Sequence, residues 1–91
     1  MNLCIPRIKS NITKEYIKKK LCNLQFFGKI EKIIEIPLKN DPTYKRILIK
    51  IIWNTNESSK NFQERLKNMG SINYVYDFPW YWKIFITNHK V

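Results

Sequence analysis

Residues Tyr44 to Trp53 read YKRILIKIIW, and this stretch decides the fold. Ile47, Ile49, Ile51 and Trp53 fall on one face of an extended chain, all of them apolar. Arg46, Leu48, Lys50 and Ile52 fall on the other, which mixes charge with aliphatic bulk. Unbroken alternation over ten residues predicts a strand. One wholly apolar face beside a mixed one predicts a sheet covered on one side and open, to solvent or a partner, on the other.

Upstream, the polar run Lys39 to Thr43 predicts a turn, and the Ile-rich run Lys29 to Leu38 a second strand. Ile30, Ile34 and Ile36 fit one of its faces while Ile33 demands the other, so a bulge or twist is expected. Pro37 marks a strand end or an edge. Before it, Thr13 is a helix N-cap, and Glu15 lies in the first turn, where the helix dipole favours an anion. Ile17, Leu21 and Leu24 then make an apolar stripe that Gly28 closes. Lys14, Lys18, Lys19 and Lys20 lie mostly off the stripe and read first as a solvated face; opposite the open sheet face, they also offer a second anion-binding surface. Leu3 to Ile8 is a short first strand with Leu3 and Ile5 on one face and Cys4 on the other.

Downstream, Asn54, Thr55 and Asn56 offer N-caps for a helix running to about Asn68, with Phe62, Leu66 and Met69 as its stripe and Gly70 past its end. Tyr74 to Ile86, YVYDFPWYWKIFI, holds seven of the thirteen aromatic residues. Such a concentration closes a core or grips a ligand. Pro79 presets a turn, so a hairpin is expected around Asp77 to Trp80. Tyr74 and Tyr76 share one face of its first half. Trp82, Ile84 and Ile86 point inward from the second half, and Tyr81, Lys83 and Phe85 outward. A polar tail, with the single histidine His89, follows from about Thr87.

The order is β-α-β-β-α-β with its last strand doubled into a hairpin. It predicts one α+β domain over residues 1–91, a ferredoxin-like sandwich with both helices on one sheet face. No apolar run approaches the ~18 residues of a membrane span, and the N-terminus does not read as a signal peptide, so an intracellular location is expected. Cys4 and Cys22 then read as free thiols. The formal charge of +10, from 17 basic and 7 acidic residues, points to an anionic partner such as nucleic acid, an anionic membrane face or an acidic protein. Because Ile, Lys and Asn dominate the sequence, an AT-rich coding bias is a competing source of the lysine excess.

The segment TKEYIKKKLCNLQFFGKI, Thr13 to Ile30, resembles the first helix of RNA-recognition-motif (RRM) domains and its aromatic-Gly-x-Ile exit, here Phe27-Gly28-Lys29-Ile30. The likeness extends over most of the chain. CIPRI, FGKIEKI and PWYWK together are similar to a group of small RRM-like proteins of giant nucleocytoplasmic DNA viruses, which would place the protein in host cytoplasm or the virion. The resemblance implies RNA binding on the open sheet face. It also implies ring-bearing residues on the first and third strands, where this sequence has Cys4, Arg46 and Leu48.

The open face is therefore expected to gather Cys4, Arg46, Leu48, Lys50, Lys83 and Phe85 as a nucleic-acid site, with Arg46, Lys50 and Lys83 for phosphates and Phe85 for stacking. Trp80, Tyr81 and Tyr76 would extend it as substitute rings, since base stacking is worth about 1–3 kcal/mol per base. The expected function is nucleic-acid binding, to single-stranded RNA first. Leu48 and Ile52, apolar and outward, keep open the alternative of a protein-interaction or virion-structural module. No enzyme, metal site or cofactor is expected. His89 has no fixed partner, no carboxylates pair on facing elements, and two glycines make no phosphate loop.

Overall fold

A computed structural model describes residues 2–87. Strands β1 (Asn2–Lys9), β2 (Gly28–Pro37), β3 (Tyr44–Trp53), β4 (Ser71–Asp77) and β5 (Trp80–Thr87) form one sheet in the order β2-β3-β1-β5-β4, every neighbouring pair antiparallel. The helices are α1 (Lys14–Lys20), continued by a 3-10 helix over Leu21–Phe26, and α2 (Glu57–Met69). The fold is thus α+β, a five-stranded antiparallel sheet with two helices. Both β1 and β2 run antiparallel to β3, so they are parallel to each other, with α1 in the crossover. By the same argument β3 and β5 are parallel across β1, with α2 and β4 in the connection.

The expected caps form. The Thr13 hydroxyl accepts from the Tyr16 amide, and the Asn56 side chain accepts from the Ser59 amide. Gly70 ends α2 at φ 78°, a conformation that favours glycine. The core lies between the helices and one sheet face. Ile17, Leu21, Leu24 and Leu66 meet Leu3, Ile5, Ile47, Ile49, Ile51, Trp82 and Ile84 there, all buried. Phe62 stacks on Phe27 with centroids 4.2 Å apart. Below them the buried Ser59 hydroxyl donates to the Phe27 carbonyl at 2.6 Å, tying α2 to the turn before β2. Met69, expected on the α2 stripe, is exposed instead, because the helix stops there.

Three register shifts interrupt the ladders; one lies in β4 between Val75 and Asp77, and the other two reset the facing of aliphatic side chains. One in β2, between Ile30 and Lys32, turns Ile30 inward with Ile33, whereas Ile34 and Ile36 pair with Leu48 and Arg46 and face outward. The predicted grouping of Ile30 with Ile34 and Ile36 is therefore corrected: the extra residue, Glu31, shifts the alternation by one. The other bulge is in β1, between Ile5 and Ile8, and lets Ile8 join the core. Pro6 sits inside it. A proline in a central strand is tolerated at a bulge, because it has no N–H to give the ladder. The tail beyond residue 87, with His89, lies outside the described residues.

Candidate nucleic-acid interface

One rung of the sheet organises the face away from the helices. Ile34, Leu48, Cys4, Phe85 and Ser71 lie directly opposite one another across all five strands. Two residues along β3 and β5 on one side of this rung stand Arg46 and Lys83. On the other side stands Lys50, opposite Lys32 of β2. Lys29, opposite Ile52, completes the group. Arg46, Lys50, Lys29, Lys32 and Lys83 are five cations flanking an apolar strip. Glu31, the bulged residue, answers one of them, its carboxylate 3.7 Å from the Lys50 ammonium.

The residues expected at the site divide. Arg46, Lys50, Tyr81, Lys83 and Phe85 share the open face. Arg46, Tyr81 and Lys83 are exposed, and Lys50 and Phe85 half-buried. The Lys83 ammonium stands 5.9 Å from the Phe85 ring centroid, within cation–π reach. Leu48 faces the same way but is only 7% exposed, so its neighbours cover it and it offers a ligand little surface. Trp80 is not on this face. It is exposed, but it lies on the helix side of the hairpin with Tyr76 and Trp82, whose positions alternate with those of Tyr81 and Lys83. Tyr76 is excluded from the open face too: it stacks on Trp82 at 4.1 Å and 15°, with Tyr16 edge-on to both.

Cys4 stands on the central rung, between Leu48 and Phe85. Its thiol is pushed above its ordinary pKa by burial, with the Arg46 guanidinium pulling the other way. It is a free thiol, as is the exposed Cys22. The middle of the face is thus smooth and aliphatic, with its one substantial ring, Phe85, to one side.

Sequence reasoning missed four contributors. Lys29 and Lys32 reach the face because of the β2 bulge. Arg7 and Tyr44 lie toward the same face at the β1–β3 end, the guanidinium 3.9 Å over the Tyr44 ring and 3.3 Å from Asp41. The turn residues Asp41 and Thr43 had suggested only a connection. No family model, no curated protein and no solved structure matches this chain. Among the described residues no helix is long and apolar enough to cross a membrane, and no group of three or more His, Cys, Asp or Glu gathers as a metal site would need.

Proposed function

We propose that the chain is a single-stranded nucleic-acid-binding module that uses the open face of its sheet, RNA being the first ligand to test. The observation that carries this is the charge of that face: five cations around an apolar strip, with one carboxylate among them. Phosphates at Arg46, Lys50 and Lys83 would place bases over the strip, where Phe85 and Tyr81 offer rings. We read the fold as ferredoxin-like and RRM-like. The two interleaved units with parallel strands split by a third support that reading, β4 being an added strand outside it. The test is a labelled 12-nucleotide RNA titrated at about 50 and about 200 mM salt. Affinity should fall steeply between them as counterions are released. Absence of binding at the lower salt would overturn the reading.

A second reading has its own observation. Ile36 and Ile52 are exposed on the same face, at the β2–β3 flank. They suit a protein partner better than a nucleic acid. A stable partner bound there, with no affinity for RNA, would favour this alternative.

A further inference from the structure

The β1–β5 ladder ends at Cys4 and Phe85. Two residues on, Pro6 has no amide hydrogen to continue it, and the bulge turns β1 away. From that point β5 pairs with β4 alone, and the hairpin stands off as an arm. Between β1 and the arm lies a slot of about 310 Å³, lined by Arg7, Lys9, Tyr44, Tyr76, Trp80 and Trp82 among others. A recess of about 420 Å³ adjoins it, sharing Tyr76 and Trp80 and adding Asp77.

We infer that this slot takes one nucleobase, stacked on Trp80, with the attached phosphate held by Arg7 and Lys9. The volume admits a base. Tyr76 and Trp82 are spent on each other, stacked 4.1 Å apart. Trp80 enters no aromatic pair among the described residues and is 65% exposed, so its ring is open to a ligand. The Arg7 guanidinium carbon stands 3.9 Å over the Tyr44 ring centroid with the side chain 60% exposed, so its N–H groups can donate outward. Its bond to Asp41 is a surface ion pair, which a phosphate can compete with at small cost. Asp77, an acceptor only, favours a base that presents an amino group. Aromatic grooves also hold proline-rich peptides, but such a ligand gives Arg7 and Lys9 nothing to neutralise. A strand crossing the basic face would reach the slot at the Arg46–Lys83 end. The choice of ligand class rests on the nucleic-acid reading of that face.

The test uses the intact chain, 12-nucleotide oligoadenylate and adenosine 5′-monophosphate, with tryptophan fluorescence as readout. Both ligands should quench wild type. Trp80→Phe should remove most of the quench, and Trp80→Ala should weaken oligonucleotide binding about tenfold. The melting temperatures of both variants should stay at the wild-type value. If Trp80→Ala binds the oligonucleotide as wild type does, the slot is overturned and the face reading stands. Quenching by the mononucleotide without oligonucleotide binding would support the slot and overturn the face reading. Binding of neither ligand, or a proline-rich decapeptide quenching Trp80 where the mononucleotide does not, would overturn the inference.

Discussion

Phe85 lies directly across the ladder from Cys4, and theirs is the last rung that β1 and β5 share. This pairing sets the chemistry on both sides of it. Toward Asn2 the sheet is continuous and carries Lys50 on its open face. Toward Lys9 the strands part, so that Arg7, Tyr44 and the hairpin arm border a gap. A small thiol opposite a ring leaves Phe85 as the largest flat surface on the central rung. It follows that stacking, if centred anywhere on that rung, is centred on β5 and not on β1 or β3.

Charge removal on the open face should be read in salt dependence as well as affinity. Arg46→Ala, Lys50→Ala and Lys83→Ala should each weaken RNA binding, and each should lower the slope of log affinity against log salt by about 1 if its side chain meets one phosphate. Phe85→Ala should weaken binding by about tenfold and leave that slope unchanged, because a ring neutralises no charge. Titrations at four or more salt concentrations separate the two effects. Equal slopes for wild type and all three cation variants would place the phosphates elsewhere.

The two thiols should differ sharply toward an alkylating reagent. Attack requires the thiolate, and burial both raises the Cys4 pKa and blocks approach. Cys22 is exposed. After brief exposure to iodoacetamide at mildly alkaline pH, mass spectrometry should find the label on Cys22, with Cys4 labelled only once denaturant is added. Equal labelling of both cysteines in the native state would contradict the covered central rung.

The sequence made β3 legible to the residue because no bulge interrupts it: each of its ten side chains falls where strict alternation puts it. The hairpin turn was legible for a similar reason, with Asp77 and Pro79 as local signals. The facing of Ile30 was not, since the extra residue at Glu31 leaves no mark in composition. Trp80 was misplaced because residues next to a turn can face either way, and only its alignment with Trp82 decides. Nothing in the sequence sets Lys45 apart from the other lysines. It shares the inward face of Ile47, stays buried, donates to the Ile12 carbonyl and lies 3.5 Å from Glu35. A cation holding the loop before α1 is invisible until that loop folds over it.

Gly28 should resist substitution for want of space. A Cβ built there would come 2.5 Å from the Ile52 carbonyl oxygen and 3.0 Å from the Trp53 Cα, both backbone atoms that cannot swing aside. Gly28→Ala must therefore push β2 from β3 where the strands begin to pair. A cost of about 1–3 kcal/mol is expected, as for other overpacked sites. Chemical denaturation should show it as a lower midpoint with an unchanged slope. A stability within experimental error of wild type would mean that the β2–β3 spacing at Gly28 is looser than described.

Asp41 should make stability depend on pH in a predictable direction. Its carboxylate accepts hydrogen bonds from the Thr43 hydroxyl and, at 3.2 Å, from the Thr43 amide, and Arg7 lies 3.3 Å away. These hold its pKa below the ordinary 3.8, the Thr43 side-chain bond first and the Arg7 charge with it. A carboxyl whose folded pKa is depressed binds a proton less readily folded than unfolded. It stabilises the fold above its ordinary pKa and loses that contribution as pH falls through the depressed value. Asp41→Asn should therefore be less stable than wild type at neutral pH, by a small amount because the carboxylate and its Arg7 partner lie at the surface, where solvent screens them. The gap should close as pH is lowered from about 5 to about 2. Urea midpoints of the two proteins across that range provide the measurement. A gap that stays constant with pH would assign the turn's stability to the shape of the side chain, and not to its charge.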